Sequence, residues 1–175
     1  HTMARLLENW LISYVQDYTT GTESPESYHQ WTGLATIAAA AQRKIWLPLG
    51  HMQVHTNFFI CLVGPSGGPR KTAALRIGAD LVNRVSEYGV KIHKAPKKAS
   101  AAALISRMAK ITDAEHQSIT AYSEELGTLL GSKSVEISDL LTELWDCGTD
   151  FDKDTIGRGA EKITAPWCNV IAAST

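Results

Sequence analysis

Apolar positions in this chain change their spacing partway along it. In "ARLLENWLISYVQDYTT", Leu6, Leu7, Trp10, Leu11, Tyr14 and Val15 fall on one helical face, which predicts an amphipathic helix that needs a surface to pack on. "GTESPE" then breaks the pattern, with Ser24 placed to cap a second helix and Pro25 at its first position. That helix runs to about residue 42, and its alanine-rich second half permits close approach of a neighbouring helix or sheet. "KIWLPLG" and "NFFICLVG" read as strands joined through "HMQVHT". From residue 57 onward, apolar runs alternate with helical segments. The runs are FFICLVG, VKIHKAP, SITAYSEE and CNVIAAS, and the helices are expected near residues 71–88, 100–110 and 135–145. Continuous rather than alternating apolar runs imply a sheet covered on both faces, the mark of a mostly parallel α/β domain. "DFDKDTIGRGAEKITAP" departs from this alternation and reads as a hairpin or extended loop ahead of the last strand.

Composition narrows the class without naming a function. The 175 residues are enough for one domain with a real core, and 44% hydrophobic with 20% charged residues is ordinary for a globular chain. Two segments are expected, a helical one over residues 1–43 and a core over 44–175, with His1 and Thr2 set aside as a tag remnant. A net charge of −1 supplies no global attraction for nucleic acid, so contact with DNA must come from a local patch or another domain. Cys61, Cys147 and Cys168 show no metal-binding spacing, and a reduced cytoplasmic setting is expected. No apolar stretch is long enough for a membrane span.

The chemistry concentrates in "FFICLVGPSGGPRKTAALRIG", residues 58–78. A phosphate group is best held by several backbone N–H groups converging on one point, which demands small residues at tight turns. Gly64, Pro65, Ser66, Gly67 and Gly68 form such a turn. A helix beginning near Lys71 would aim its free N–H groups and positive end at the anion. Lys71 is then placed to reach the β- and γ-phosphates of a nucleotide, and the Thr72 hydroxyl to sit on Mg²⁺. The spacing departs from GxxxxGK[ST]: Arg70 stands where glycine is usual, the loop is one residue longer, and Pro69 removes one donor. An altered loop geometry is therefore expected.

Taken together, "YHQWTGLATIAAAAQRKIWLPLG", "LVGPSGGPRKTAAL", "AYSEELGTLL" and "KITAPWCNVIAAST" resemble the RecA/AAA-like P-loop ATPase domains of phages and prophages that accompany primases and helicases. The resemblance implies ATP and Mg²⁺ as ligands, with Gly64, Pro65, Ser66, Gly67, Gly68, Arg70, Lys71 and Thr72 around the nucleotide. It places Glu124 at the catalytic glutamate position and Ser123 at the metal-side position usually held by aspartate, with Glu125 as a further candidate. It makes Ser174 the sensor residue at the end of the last strand. It also implies that strand 57–63 neighbours 168–173, followed by 118–123 and then 90–95. The family's fifth strand, on the free side of 57–63, has no sequence here. Either the chain is a fragment of a longer ATPase, or "KIWLPL" covers that edge.

Arg158, between Gly157 and Gly159, is a candidate arginine finger, and Lys94, Lys97 and Lys98 could touch a phosphate backbone, although a solvated loop explains both. His51 and His55 read as surface residues. The leading expectation is a DNA-directed replication ATPase that works as part of a ring, for which a homo-oligomer is one form, or of a fused primase–helicase. The alternatives are a nucleotide-binding module without turnover and, less favoured for want of an arginine-rich lid, a small-molecule kinase.

Overall fold

The computed structural model describes residues 8–96, 98, 100–112, 115–131, 134–155 and 159–175. It is an α/β structure built on a three-stranded parallel sheet with helices against both faces. The strands are β3 (Phe59–Val63), β4 (Gln117–Ser123) and β7 (Pro166–Ser174), in the order β3-β7-β4. Residues 90–95 contribute only a single parallel bridge, Lys94 to Thr120, beyond β4. The neighbour order implied by the resemblance is thus observed, although the fourth run does not form a full strand.

Alternation along β7 explains the two covered faces. Cys168 and Val170 point into a core shared with α4 (Ala101–Ala109), α5 (Leu126–Leu130) and α6 (Ser134–Trp145), filled by Leu104, Met108, Leu140 and Leu144. Ile171 and Ala173 point the other way, against α2 (Glu26–Ala41) and α3 (Lys71–Glu87), where Ala35, Leu62 and Leu75 complete a second core. The alanines of α2 are what let it come this close. A Cβ added at Gly78 of α3 would lie 2.4 Å from Thr32 Cγ2, so the α2–α3 contact depends on glycine there.

The N-terminal helix is shorter and less regular than its pattern predicts. α1 (Trp10–Ser13) is capped by the Asn9 side chain, which accepts from the N–H groups of Leu11 and Ile12. It widens into a π-helical turn at Tyr14–Tyr18. Trp10 stacks on Tyr14 at 5.1 Å and Tyr14 on Tyr18 at 6.0 Å. Leu6 and Leu7 lie outside the described residues. The cap expected at Ser24 is corrected: α2 starts at Glu26 behind Pro25, and Ser24 Oγ donates instead to the Arg70 carbonyl at 2.8 Å.

The strands near residue 50 are also paired differently from expectation. β1 (Trp46–Leu49) and β2 (Met52–His55) form their own antiparallel hairpin, so "HMQVHT" is a strand and not a connector. Gly50, at φ 61°, makes the tight turn possible. "KIWLPL" therefore does not cover the free edge of β3. The second hairpin, β5 (Asp150–Thr155) with β6 (Gly159–Thr164), forms where the sequence suggests, and Arg158 lies outside the described residues. The three cysteines are unpaired, and among the described residues no helix is long and apolar enough to cross a membrane.

One buried polar side chain ties the layers together. Asn169 of β7 is fully buried; its Oδ1 accepts from the Phe58 N–H at 3.0 Å and its Nδ2 donates to the Ala35 carbonyl at 3.1 Å. Asn169→Ala strands the Phe58 donor and opens a void between sheet and α2. The expected loss is about 2–4 kcal/mol of stability. Urea unfolding would register it as a lower midpoint at unchanged slope, and a loss below about 1 kcal/mol would show that this brace carries little.

Candidate functional site

The loop at residues 64–70 leaves the carboxyl end of β3 and turns back onto the sheet. Gly64 N–H donates to the Ser174 carbonyl at 3.2 Å, which ties the loop to the end of β7. Tyr28 Oη, from α2, donates to the Val63 carbonyl at 2.7 Å. A Cβ at Gly64 would lie 2.5 Å from that hydroxyl and 2.8 Å from Pro69 Cγ, so glycine is required by close approach on two sides. Gly67, at φ 79°, makes the second bend.

Arg70 accounts for the irregular motif. It adopts left-handed backbone angles, φ 40° and ψ 44°, immediately before α3. Glycine takes this conformation freely, whereas any other residue costs about 1–2 kcal/mol. Three contacts offset the cost. The Arg70 carbonyl accepts from Ser24 Oγ and from the Ala73 N–H at 2.9 Å, and its guanidinium pairs with Glu23. That side chain is turned toward Glu23, just ahead of α2. A residue with a side chain thus takes the backbone conformation that glycine favours.

Lys71 opens α3 and folds back over the loop, its Nζ donating to the carbonyls of Gly64 and, at 3.1 Å, Pro65. The ammonium is thus held across the mouth of the turn. Lys71 and Thr72 share a cleft of about 590 Å³ with Pro65, Ser66 and Gly67 of the loop, Arg70, Glu124 and Glu125 beyond β4, and Ser174 and Thr175 ending β7. Segments far apart in sequence meet here, at the carboxyl edge of a parallel sheet, where such sheets hold their ligands.

The acidic end of β4 is more constrained. Ser123 is buried, and its Oγ donates to the Glu125 carbonyl at 2.7 Å, bracing the turn after the strand. Glu124 receives a two-pronged contact from Arg76 of α3: Nε to Oε1 and Nη2 to Oε2, both 3.0 Å. This geometry matches a planar guanidinium to a carboxylate. A further crevice of about 730 Å³ opens beyond the pair, between Ala79 and Asp80 of α3 and Tyr122 of β4.

For Mg²⁺, the cleft offers hard oxygen donors in the Thr72 hydroxyl and the carboxylates of Glu124 and Glu125. Among the described residues no three His, Cys, Asp or Glu side chains gather into a metal site of their own. The set suits an ion that keeps several waters and shares phosphate oxygens with the protein, as Mg²⁺ does. The Ser123 hydroxyl is taken up by the turn and does not line the cleft.

Other candidates are placed elsewhere. Lys94 sits beside β4, half-buried, and desolvation lowers its pKa; Lys97 lies outside the described residues. His51 is exposed, but His55 is tucked in, with its pKa lowered by burial and then by Arg43, a correction to its reading as a surface residue. Arg76 and Tyr28 had no signal as site residues in the sequence, and Ser24 signalled only a helix cap. Each matters only through a partner 35 or more positions away. Comparison with protein-family models, with curated proteins and with solved structures finds no match.

Proposed function

We propose that this chain is an ATP-binding and hydrolysing module, with a P-loop-type fold, of a replication ATPase that acts on DNA. The observation that carries the reading is the convergence of the Gly64–Thr72 turn, the Glu124–Glu125 pair and Ser174 at one cleft on the carboxyl edge of the sheet. The loop and the start of α3 would bind the phosphates, with Lys71 exchanging its loop carbonyls for phosphate oxygens. Thr72 and the Glu124–Glu125 pair would hold Mg²⁺, which supplies charge neutralisation on the phosphates. Glu124 would polarise the attacking water once its contact with Arg76 opens, and Ser174 would orient that water. The DNA-directed role rests on the family resemblance and on partners or further domains, since the chain is close to neutral.

A second reading, nucleotide binding without turnover, is favoured by one observation: the carboxylate best placed to act as base is held by Arg76 on both oxygens. Phosphate release from ATP and Mg²⁺, with and without single-stranded DNA and at several protein concentrations, separates the two. The isolated chain is expected to turn over slowly, because an arginine supplied from a neighbouring subunit alone contributes roughly 10³–10⁵ in rate. Stimulation by DNA or by protein concentration supports the hydrolysing module. Turnover of about 1 per second, independent of concentration, would show a complete site in one chain and overturn the need for assembly.

A further inference from the structure

The turn at residues 64–70 gives up one donor for an anion, because Pro69 has no N–H group. A guanidinium stands next to that gap. Arg70 lines the cleft with Lys71, and its N–H donors form a planar fork that matches phosphate oxygens in pairs. In this structure the fork is turned onto Glu23, two residues ahead of the proline that precedes α2.

Main chain and side chain of Arg70 are held differently. Its carbonyl accepts from Ser24 Oγ at 2.8 Å and from the Ala73 N–H at 2.9 Å, so the left-handed backbone stays in place while the side chain turns. The side-chain pair is open to water on both partners, 59% for Arg70 and 69% for Glu23. A pair exposed to that degree adds little, because both charges remain solvated and salt screens them. Glu23 is nevertheless kept beside the loop by its neighbours. Thr22 Oγ1 lies 2.6 Å from His29 Nε2 on one side, and Ser24 is bound to the Arg70 carbonyl on the other. A carboxylate is thus anchored next to the phosphate loop, on a guanidinium, through a contact weak enough to exchange.

A carboxylate offers a guanidinium two oxygens, as a phosphate does, but carries less charge than a terminal phosphate. We infer that Glu23 is an internal stand-in for a ligand phosphate: it holds Arg70 until a di- or triphosphate enters the cleft. Arg70 then turns onto the phosphate and supplies the donor that Pro69 withholds. The inference rests on the phosphate-binding reading of the cleft and adds a competing residue to it. Affinity at the loop is then the net of one contact formed and one broken, and Glu23 lowers it.

The test measures affinity in the whole chain with a fluorescent ATP analogue, and then by displacing that analogue with inorganic pyrophosphate. Glu23→Gln keeps the shape and removes the competing charge. It is expected to tighten both ligands by about three- to fivefold at low salt, and the gain should shrink at high salt. Arg70→Gln should weaken both by about tenfold, and Glu23→Gln added to it should then change almost nothing. Glu26→Gln is the control for losing a nearby negative charge, since the Glu26 side chain accepts from Gln30 Nε2 in the first turns of α2. The sign of the effect decides. If Glu23 only braces the left-handed turn, Glu23→Gln weakens binding, and that result or no change overturns the inference. An equal gain in Glu26→Gln, or in the Arg70→Gln background, overturns it too. Should the wild-type chain bind neither ligand, the phosphate-binding reading falls and the inference falls with it. Binding by the wild type with no gain in Glu23→Gln removes the inference alone.

Discussion

If the loop binds ATP as proposed, Lys71→Ala is expected to cost about 2–3 kcal/mol of ATP affinity, a loss of roughly 30- to 150-fold. Two effects combine in that figure. The variant would lack the ammonium proposed to meet the phosphates, and the turn loses the clasp that Lys71 makes on the Gly64 and Pro65 carbonyls. Equilibrium binding of a fluorescent ATP analogue measures the sum. Thermal unfolding without nucleotide measures the clasp alone, and since the contact is at the surface, that change should stay within about 0.5 kcal/mol. Binding at wild-type strength would remove the loop from the nucleotide site altogether.

Glu124→Gln is expected to leave ATP bound and to cut its hydrolysis by about 10²–10⁴-fold. Glutamine keeps the shape and can still accept from Arg76, but it cannot take a proton from water. Single-turnover measurements with enzyme in excess separate chemistry from binding, which matters for a chain expected to cycle slowly. Glu125 lies in the same cleft and serves as the control. Should Glu125→Gln stall hydrolysis while Glu124→Gln does not, the catalytic carboxylate is the neighbour, and the contact of Glu124 with Arg76 is structural.

Much of the sheet could be read from residue order because its strands are uniform apolar runs. A strand such as "CNVIAAS", with little polar alternation, must be covered on both sides, and β7 is. The loop was legible because glycines, lysine and threonine follow a strand and open a helix. What escaped was set by contacts made at a distance. "KIWLPL" has the apolar content of a sheet strand, but Gly50 bends the chain back and pairs it locally with Met52–His55. Ser24 has the chemistry of a helix cap, yet the Arg70 carbonyl is the acceptor it meets. Arg76 gave no signal, since nothing in a single helical turn announces a glutamate 48 positions later. Arg70 was visible as an anomaly; its left-handed backbone supplies the cause.

β3 has a consequence for how the candidate site behaves over time. Among the described residues β7 is its one strand neighbour, while β7 is paired on both sides. Proteins open locally where cross-support is thinnest, so β3 and the turn it carries are expected to open before the β4–β7 pair does. Part of any ligand's binding energy then goes into holding that unit closed. Affinity at the loop and the local stability of an edge strand become one linked equilibrium, and a substitution that loosens β3 far from the cleft weakens binding without touching the ligand.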